Sequence, residues 1–353
     1  MSKVLEAGCL VQKRDGRSPA MMRWSRGRKS KKIYVTTWYA DALGARRYVA
    51  QGDKKRSAIV RTLQIFRESF FYDCVVTSEG FQTAAGLVLL CLLEAITGRR
   101  RIVLLEFLPG VRPGRKGMAV RQMYRIVLPR SVAACHVLSS WEADYYSQAF
   151  GIAIERFKFI PWPLEGRLDR DVTPIPYGER SGVVASGRNS CDWETVCRAA
   201  SAYSWKVTLI CGQAEYQRVL AAAPSTARIL VDISEDEHWA EVRRASVYIL
   251  ALQERFVSAG HVRLMTAIMA ETPVVASDVR GLADYKDAIG VLVPAADYLA
   301  LGEAVGSLLG EPKRAESIAS DRRAVARSRS WDEYLSRIRE FMSEVSGHSW
   351  STA

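Results

Sequence analysis

Residues Leu264–Tyr285 read LMTAIMAETPVVASDVRGLADY, and three local signals stand edge to edge in them. An apolar, helix-like run ends at Met269–Ala270. PVVAS follows almost at once, and its apolar, β-branched composition is that of a strand covered on both faces. A charged turn, Asp278-Val279-Arg280-Gly281, comes next. With so little chain between them, helix and strand hold the loops at their ends at fixed spacing, which is what a positioned chemical site requires.

The same alternation continues in both directions. Upstream, SGVVASG, WKVTLICG, RILVDIS and VYILAL read as strands, separated by helical stretches at Asp192–Ala202, YQRVLAAA and Asp236–Ala245. Downstream, GVLVP is a strand and Tyr298–Leu309 a helix. An earlier series has KIYVTTW (Lys32–Trp38), YDCVVTS, RIVLLEF and VAACHVLSS as strands. Its helices are Ser57–Phe70, Thr83–Ile96, AVRQMYRIVL and EADYYSQAF, and RFKFIPWP closes the half. Such alternation predicts an α/β fold of two Rossmann-like, doubly wound domains facing a cleft. The expected divisions are a basic, tail-like leader (1–31), a first domain (32–163), a linker (164–180) and a second domain (181–327). A C-terminal helix and tail (328–353) then pack back toward the first domain. That helix opens at Ser330-x-x-Glu333, a capping-box spelling, and sets Tyr334, Ile338 and Phe341 on one stripe. The loop Leu108–Gly117, punctuated by glycine and proline around three cations, is expected to be exposed.

The length of 353 residues suits two domains of about 150 each, and 48% apolar with 25% charged residues is the balance of a soluble globular chain. No signal-peptide core opens the sequence, and the most apolar run, Thr83–Ile96, is shorter than the ~20 residues a spanning helix needs. Seven cysteines without a CxxC pair, mostly inside apolar runs, read as buried thiols of a reducing cytosol. The four histidines are too scattered for a metal site. Charge divides the chain: up to Pro163 there are 28 Lys and Arg against 12 Asp and Glu, and beyond it 22 against 26. A basic solvated face, a face for anionic lipid or a lipid-phosphate acceptor, and a nucleic-acid surface all fit that asymmetry.

Leu264–Leu309 as a whole runs from an EAMA-type helix through PVVAS, a glycine turn, an acidic residue, GVLVP and Asp297 into a helix. This resembles the C-terminal donor-domain signature of group 1 (family 4) glycosyltransferases, which have the two-Rossmann GT-B fold. The resemblance implies sugar transfer from a nucleotide-sugar donor, UDP- or GDP-linked, with retention and without a metal or any cofactor beyond that donor. It places Gly260 before a helix whose first turn takes the diphosphate, with Ser258 as a cap and His261 as a side-chain donor or an ordinary exposed histidine. Arg188 matches the donor-phosphate arginine, its alternative being a surface cation. Gly281 and Asp284 stand beside the sugar. Glu106, at the end of RIVLLEF, is an acceptor- or sugar-orienting group or a strand-end carboxylate paired with an arginine, and Glu79 is a second candidate of that kind.

Departures from the family pattern are specific. Ser258 and Thr266 stand where two glutamates are usual, leaving the Thr266 hydroxyl for the ribose. The lysine that follows the arginine is missing, with Arg263, Arg280 or a basic residue of the first domain as substitutes, TTWYADALG replaces an early glycine-rich turn, and Glu271 occupies a helix-ending glycine position. The expected activity is a hexosyltransferase of polysaccharide-biosynthesis type with a glycan, lipid-linked or small-molecule acceptor. A cytoplasmic chain, free or peripheral on the inner face of the membrane, fits these partners. The alternative is a noncatalytic glycosyltransferase-like binding subunit, and a nucleic-acid role ranks behind both.

Overall fold

The computed structural model describes residues 33–36, 38–40, 43, 46–47, 58–78, 84–109, 114–166, 175–188 and 190–347. The basic leader, Glu79 and linker residues 167–174 lie outside the described residues. The first sheet consists of β1 (Ile33–Val35), β2 (Arg46–Arg47), β3 (Cys74–Thr77), β4 (Ile102–Leu104), β5 (Val132–Val137) and β6 (Phe157–Phe159). Their spatial order is β2-β1-β3-β4-β5-β6, and every pairing is parallel. Parallel neighbours require crossovers, and α1 (Ala58–Ser69), α2 (Ala84–Ile96), α3 (Arg115–Ser131) and α4 (Ser140–Phe150) supply them.

The second sheet holds β7 (Val183–Gly187), β8 (Val207–Cys211), β9 (Arg228–Val231), β10 (Val247–Leu250), β11 (Val274–Asp278) and β12 (Val291–Pro294). It is again all parallel, in the order β12-β11-β10-β7-β8-β9. Its helices are α5 (Trp193–Ala202), α6 (Tyr216–Ala222), α7 (Glu235–Arg244), α8 (His261–Met269) and α9 (Tyr298–Gly310). Two further helices, α10 (Pro312–Arg327) and α11 (Trp331–Ser346), end the described chain.

Each sheet is sandwiched between apolar layers. On one face of the first sheet, Ile65, Leu87, Tyr124 and Tyr146 of α1–α4 pack on Tyr34, Val75 and Leu104. On the other, Tyr334, Ile338, Phe341 and Met342 of α11 cover Val35, Val76 and Val103. The apolar stripe of the last helix is therefore spent on the first sheet, and it ties the end of the chain to its beginning. The glutamate that interrupts the apolar α2 is also explained: Glu94 is fully buried, 2.7 Å from the guanidinium of Arg101.

Three local expectations shift. The first strand ends at Val35 and a single 3₁₀ turn, Trp38–Ala40, follows, because Tyr39 turns inward to be buried. Helix α3 starts at Arg115, inside the expected loop. The glycine turn after β11 extends into a 3₁₀ segment, Arg280–Ala288. No helix among the described residues is long and apolar enough to cross a membrane. The six described cysteines are all buried and free.

Glu271, where a glycine was expected, is indeed left-handed, with φ of 49°. Arg180 secures the turn by donating to the carbonyls of Glu271 at 2.7 Å and Ala270 at 3.3 Å. Its cation thus satisfies the open carbonyl end of α8. Replacing Glu271 by glycine removes the Cβ penalty and should raise unfolding stability by about 1 kcal/mol in urea titrations. An unchanged midpoint would show that this turn carries no strain.

Candidate functional site

In open α/β sheets, ligands gather beyond the carboxyl ends of the strands, where the strand order reverses. In the second sheet that point is β7, flanked by β8 on one side and β10 on the other. Arg188 is the residue immediately after β7. Its stem passes over Gly212 at the end of β8, and its guanidinium lies 3.4 Å from Asp232, just beyond β9. Both partners are more than a third exposed, so this pair is a weak constraint and leaves the guanidinium available to an anion.

The loop after β10 leads to α8, whose first helical residue is His261. Gly260 is the N-cap, with φ of 90° and no side-chain capping bond, so the expected cap by Ser258 does not form. The glycine is required: a Cβ there would stand 2.9 Å from Leu252 and in a left-handed conformation. Gly281 lies against the same loop, its would-be Cβ 3.4 Å from the Ala259 nitrogen and the Val257 oxygen. Arg263 reaches back from the first turn of α8 to the end of β7, donating to the Ser186 carbonyl and, at 2.8 Å, to Cys191 Sγ. The helix start and the Arg188 loop are thereby fastened together.

His261 is neither a surface histidine nor a free donor. Its ring stacks on Tyr285 at 4.2 Å and its Nε2–H donates to the Gly281 carbonyl at 2.9 Å. Thr266, one turn further along, returns its hydroxyl to the Val262 carbonyl at 2.9 Å. The structure thus gathers Ser258, Gly260, His261, Gly281 and Asp284 into one patch, while Thr266 stands apart along α8 and Glu106 belongs to the opposite sheet.

Glu106 follows β4 and is held at a φ of 49°. Tyr39 donates to its carboxylate at 2.6 Å. Tyr39 also shares a short hydrogen bond with Tyr334 of α11. The Glu106 N–H donates to Nδ1 of His136 at 3.2 Å, so the proton of that ring sits on Nε2, which donates to the Ile160 carbonyl at 2.8 Å. A polar cluster thus occupies the carboxyl end of the first sheet.

The two sheets meet through a seam of long-range hydrogen bonds. Ser139 and Ser140 open α4, and Glu142 accepts from the N–H groups of Leu138 at 3.1 Å and Ser139 at 3.0 Å. Its other oxygen accepts from Tyr146 at 2.9 Å and, across the interface, from the Ser258 N–H at 2.8 Å. Burial pushes this carboxyl up from its usual range, and the Ser258 N–H opposes the shift. The hydroxyls of Ser139 and Ser258 meet at 2.7 Å. Asp284 accepts from the N–H of Ser140 at 2.8 Å and from its hydroxyl at 2.9 Å. Tyr285 donates to the Leu138 carbonyl at 3.0 Å and accepts from the Trp162 N–H at 2.7 Å.

Glu142, Ser139, Ser140, Tyr285 and Asp232 were not singled out from sequence. One signal existed: Ser139-x-x-Glu142 spells a capping box at the start of α4. Nothing local marks the partners across the seam.

Two parallel, doubly wound sheets that face each other across their carboxyl ends, with the last helix returned to the first sheet, define the GT-B fold. Solved structures agree. The chain is similar to Anabaena HepE, solved with UDP and glucose, at a TM-score of 0.65 and 14% identity over 89% of this chain and 100% of that one. It is also similar to the sucrose-phosphate synthase of Thermosynechococcus elongatus, at 0.65 and 15% identity over 86% and 84% of the two chains. A glycosyltransferase from Rickettsia africae matches at 0.62 and 12% identity over 90% of each. No family model matches the chain, and no curated protein does. At such identities the likeness establishes the fold.

Two measurements probe the seam. Tyr285→Phe strands the Trp162 N–H and the Leu138 carbonyl, and should cost about 1–3 kcal/mol in denaturant titrations. A loss near zero would mean that these groups find other partners. The buried rings give a pH signature. Burial lowers the pKa of His261 from 6.5 to about 4, with the Gly281 carbonyl pulling the other way, and His136 behaves alike beside Ile160. Between those values the unfolded chain binds protons that the folded chain refuses. Stability from each ring is therefore full above pH 6.5 and falls as the pH drops toward 4, by about 3 kcal/mol. A His261→Gln variant should lose less between pH 7 and pH 4 than the parent chain, and parallel curves would contradict the assignment.

Proposed function

We propose that the chain transfers a sugar from a nucleotide-sugar donor to a hydroxyl-bearing acceptor. The observation that carries this reading is the coincidence, at the switch point of the second sheet, of Arg188 with the start of α8. The first turn of a helix leaves N–H groups without intrahelical acceptors at its positive end, a natural seat for a diphosphate. Arg188 adds a guanidinium and Arg263 a second cation bridging both elements, which answers the lysine missing from the family pattern. HepE was solved with UDP and with UDP-glucose, so uridine diphosphate is the first nucleotide to test.

In the proposed reaction the bond between the anomeric carbon and the diphosphate oxygen breaks, and the acceptor oxygen bonds to that carbon on the same face. The acceptor proton passes to the leaving diphosphate. Arg188 and the α8 dipole stabilise the charge that develops there, and no metal or separate base is needed. Glu106, held by Tyr39 on the opposite wall, orients the acceptor. Asp284 and Ser258, bound to the first domain, set the width of the cleft, with Gly281 allowing the two donor-side loops to touch. The acceptor is a glycan, a lipid-linked sugar or a small molecule.

A second reading, a noncatalytic nucleotide-binding subunit, is favoured by Ser258 and Thr266 standing in place of the two glutamates. The two readings share binding and part at turnover. UDP at about 100 times its dissociation constant should add about 2.7 kcal/mol to thermal stability. Arg188→Ala should weaken that binding tenfold or more and abolish transfer or donor hydrolysis. Binding without turnover by the parent chain, with any donor, would support the subunit. A chain that no nucleoside diphosphate stabilises would refute both.

A further inference from the structure

Helices α1, α2 and α3 lie side by side over the first sheet, and their outward surface is unusual for a face turned to water. On α1, Ile59 and Leu63 are 60% and 47% exposed, and Phe71 just past its end is 76% exposed. At the end of α2, Ile96 is 73% exposed, and on α3, Met118 and Ile126 are 66% and 57% exposed. These residues follow helical spacing, so they form outward stripes opposite the buried ones rather than scattered exceptions.

Cations outnumber carboxylates on the same layer. Segments 58–72, 84–100 and 114–131 contain two, two and five Lys and Arg respectively, against two carboxylates, Glu68 and Glu94. Both carboxylates are spent inward. Glu68 accepts from the Tyr34 hydroxyl at 2.9 Å, and Glu94 is sealed against Arg101. Helix α3 has no acidic residue at all. Arg67, Arg99, Arg115, Arg125 and Arg130 are exposed, and Arg99 lies 4.7 Å over the Phe70 ring.

We propose that this layer docks on an anionic lipid bilayer. Its aliphatic and aromatic side chains enter the boundary of the acyl chains, and the arginines reach lipid phosphates while their stems stay in apolar contact. Two other occupants fit less well. A second copy of the chain would bring like charges face to face. A nucleic acid would satisfy the arginines and leave exposed Ile, Leu and Met side chains against phosphate and water. The inference does not rest on the donor site, since docking needs no nucleotide. If the proposed transfer is correct, the surface brings the first domain to an acceptor carried by lipid.

Co-flotation of the full chain with vesicles tests it. Vesicles of phosphatidylcholine with about one third phosphatidylglycerol should carry the protein at about 0.1 M salt, release much of it at 1 M, and outcompete pure phosphatidylcholine. Arg115→Glu with Arg125→Glu should lower partitioning on the order of 30-fold or more. Phe71→Ser with Ile126→Ser should lower it too, whereas Arg314→Glu on the distant α10 should not. All of these positions are exposed, so the variants are expected to fold, and their UDP-induced thermal shift serves as an independent check. Failure to bind anionic vesicles would overturn the proposal. So would binding unaffected by the α3 variants, or an oligonucleotide that binds more tightly than vesicles and is lost in the same variants.

Discussion

A single buried carboxylate organises the junction of the two domains. Glu142 uses both oxygens, one to close the first turn of its own helix and one to take the N–H of Ser258 from the other domain. A carboxylate removed from water is costly unless its lone pairs are filled, and four hydrogen bonds fill these. The stability of the arrangement is therefore conditional on both domains being present in register. Tyr285 repeats the logic nearby, joining Leu138 and Trp162 of the first domain while its ring supports His261.

The seam also determines what the donor-side loops can do. The Ser258 hydroxyl and both Asp284 oxygens are turned toward α4, so the residues that resemble sugar-contacting positions act here as domain contacts. Arg188 is different. It lies outside the seam, at the strand-order reversal, and its partly exposed pairing with Asp232 holds it only loosely. The seam fastens the two domains, and one partly exposed cation stands outside it. That division between fastening groups and an available group is what the proposed chemistry requires.

On the far side of the first sheet's helices, the same domain presents a face that is apolar and positive at once. Its charge was visible as an asymmetry between halves of the chain. The folded arrangement adds that two carboxylates of this layer have inward partners, Glu68 with Tyr34 and Glu94 with Arg101.

The fold class was legible because its signal is short-range. Apolar runs of strand length alternating with helical stretches leave few arrangements other than covered parallel sheets, and the tight passage from α8 to β11 pointed to the GT-B architecture through its motif string. The left-handed turn at Glu271 was signalled by the resemblance alone, whose pattern ends that helix with a glycine. Which side chains meet across the cleft could not be read. Glu142 and Ser258 are separated by 116 positions, and Tyr285 and Leu138 by 147, so no local pattern couples them. His261 shows the difference most clearly. Its place at a helix start follows from sequence, but its burial follows from the docking of Tyr285 and Gly281 around it, and only the packed domains decide that the ring is a neutral strut.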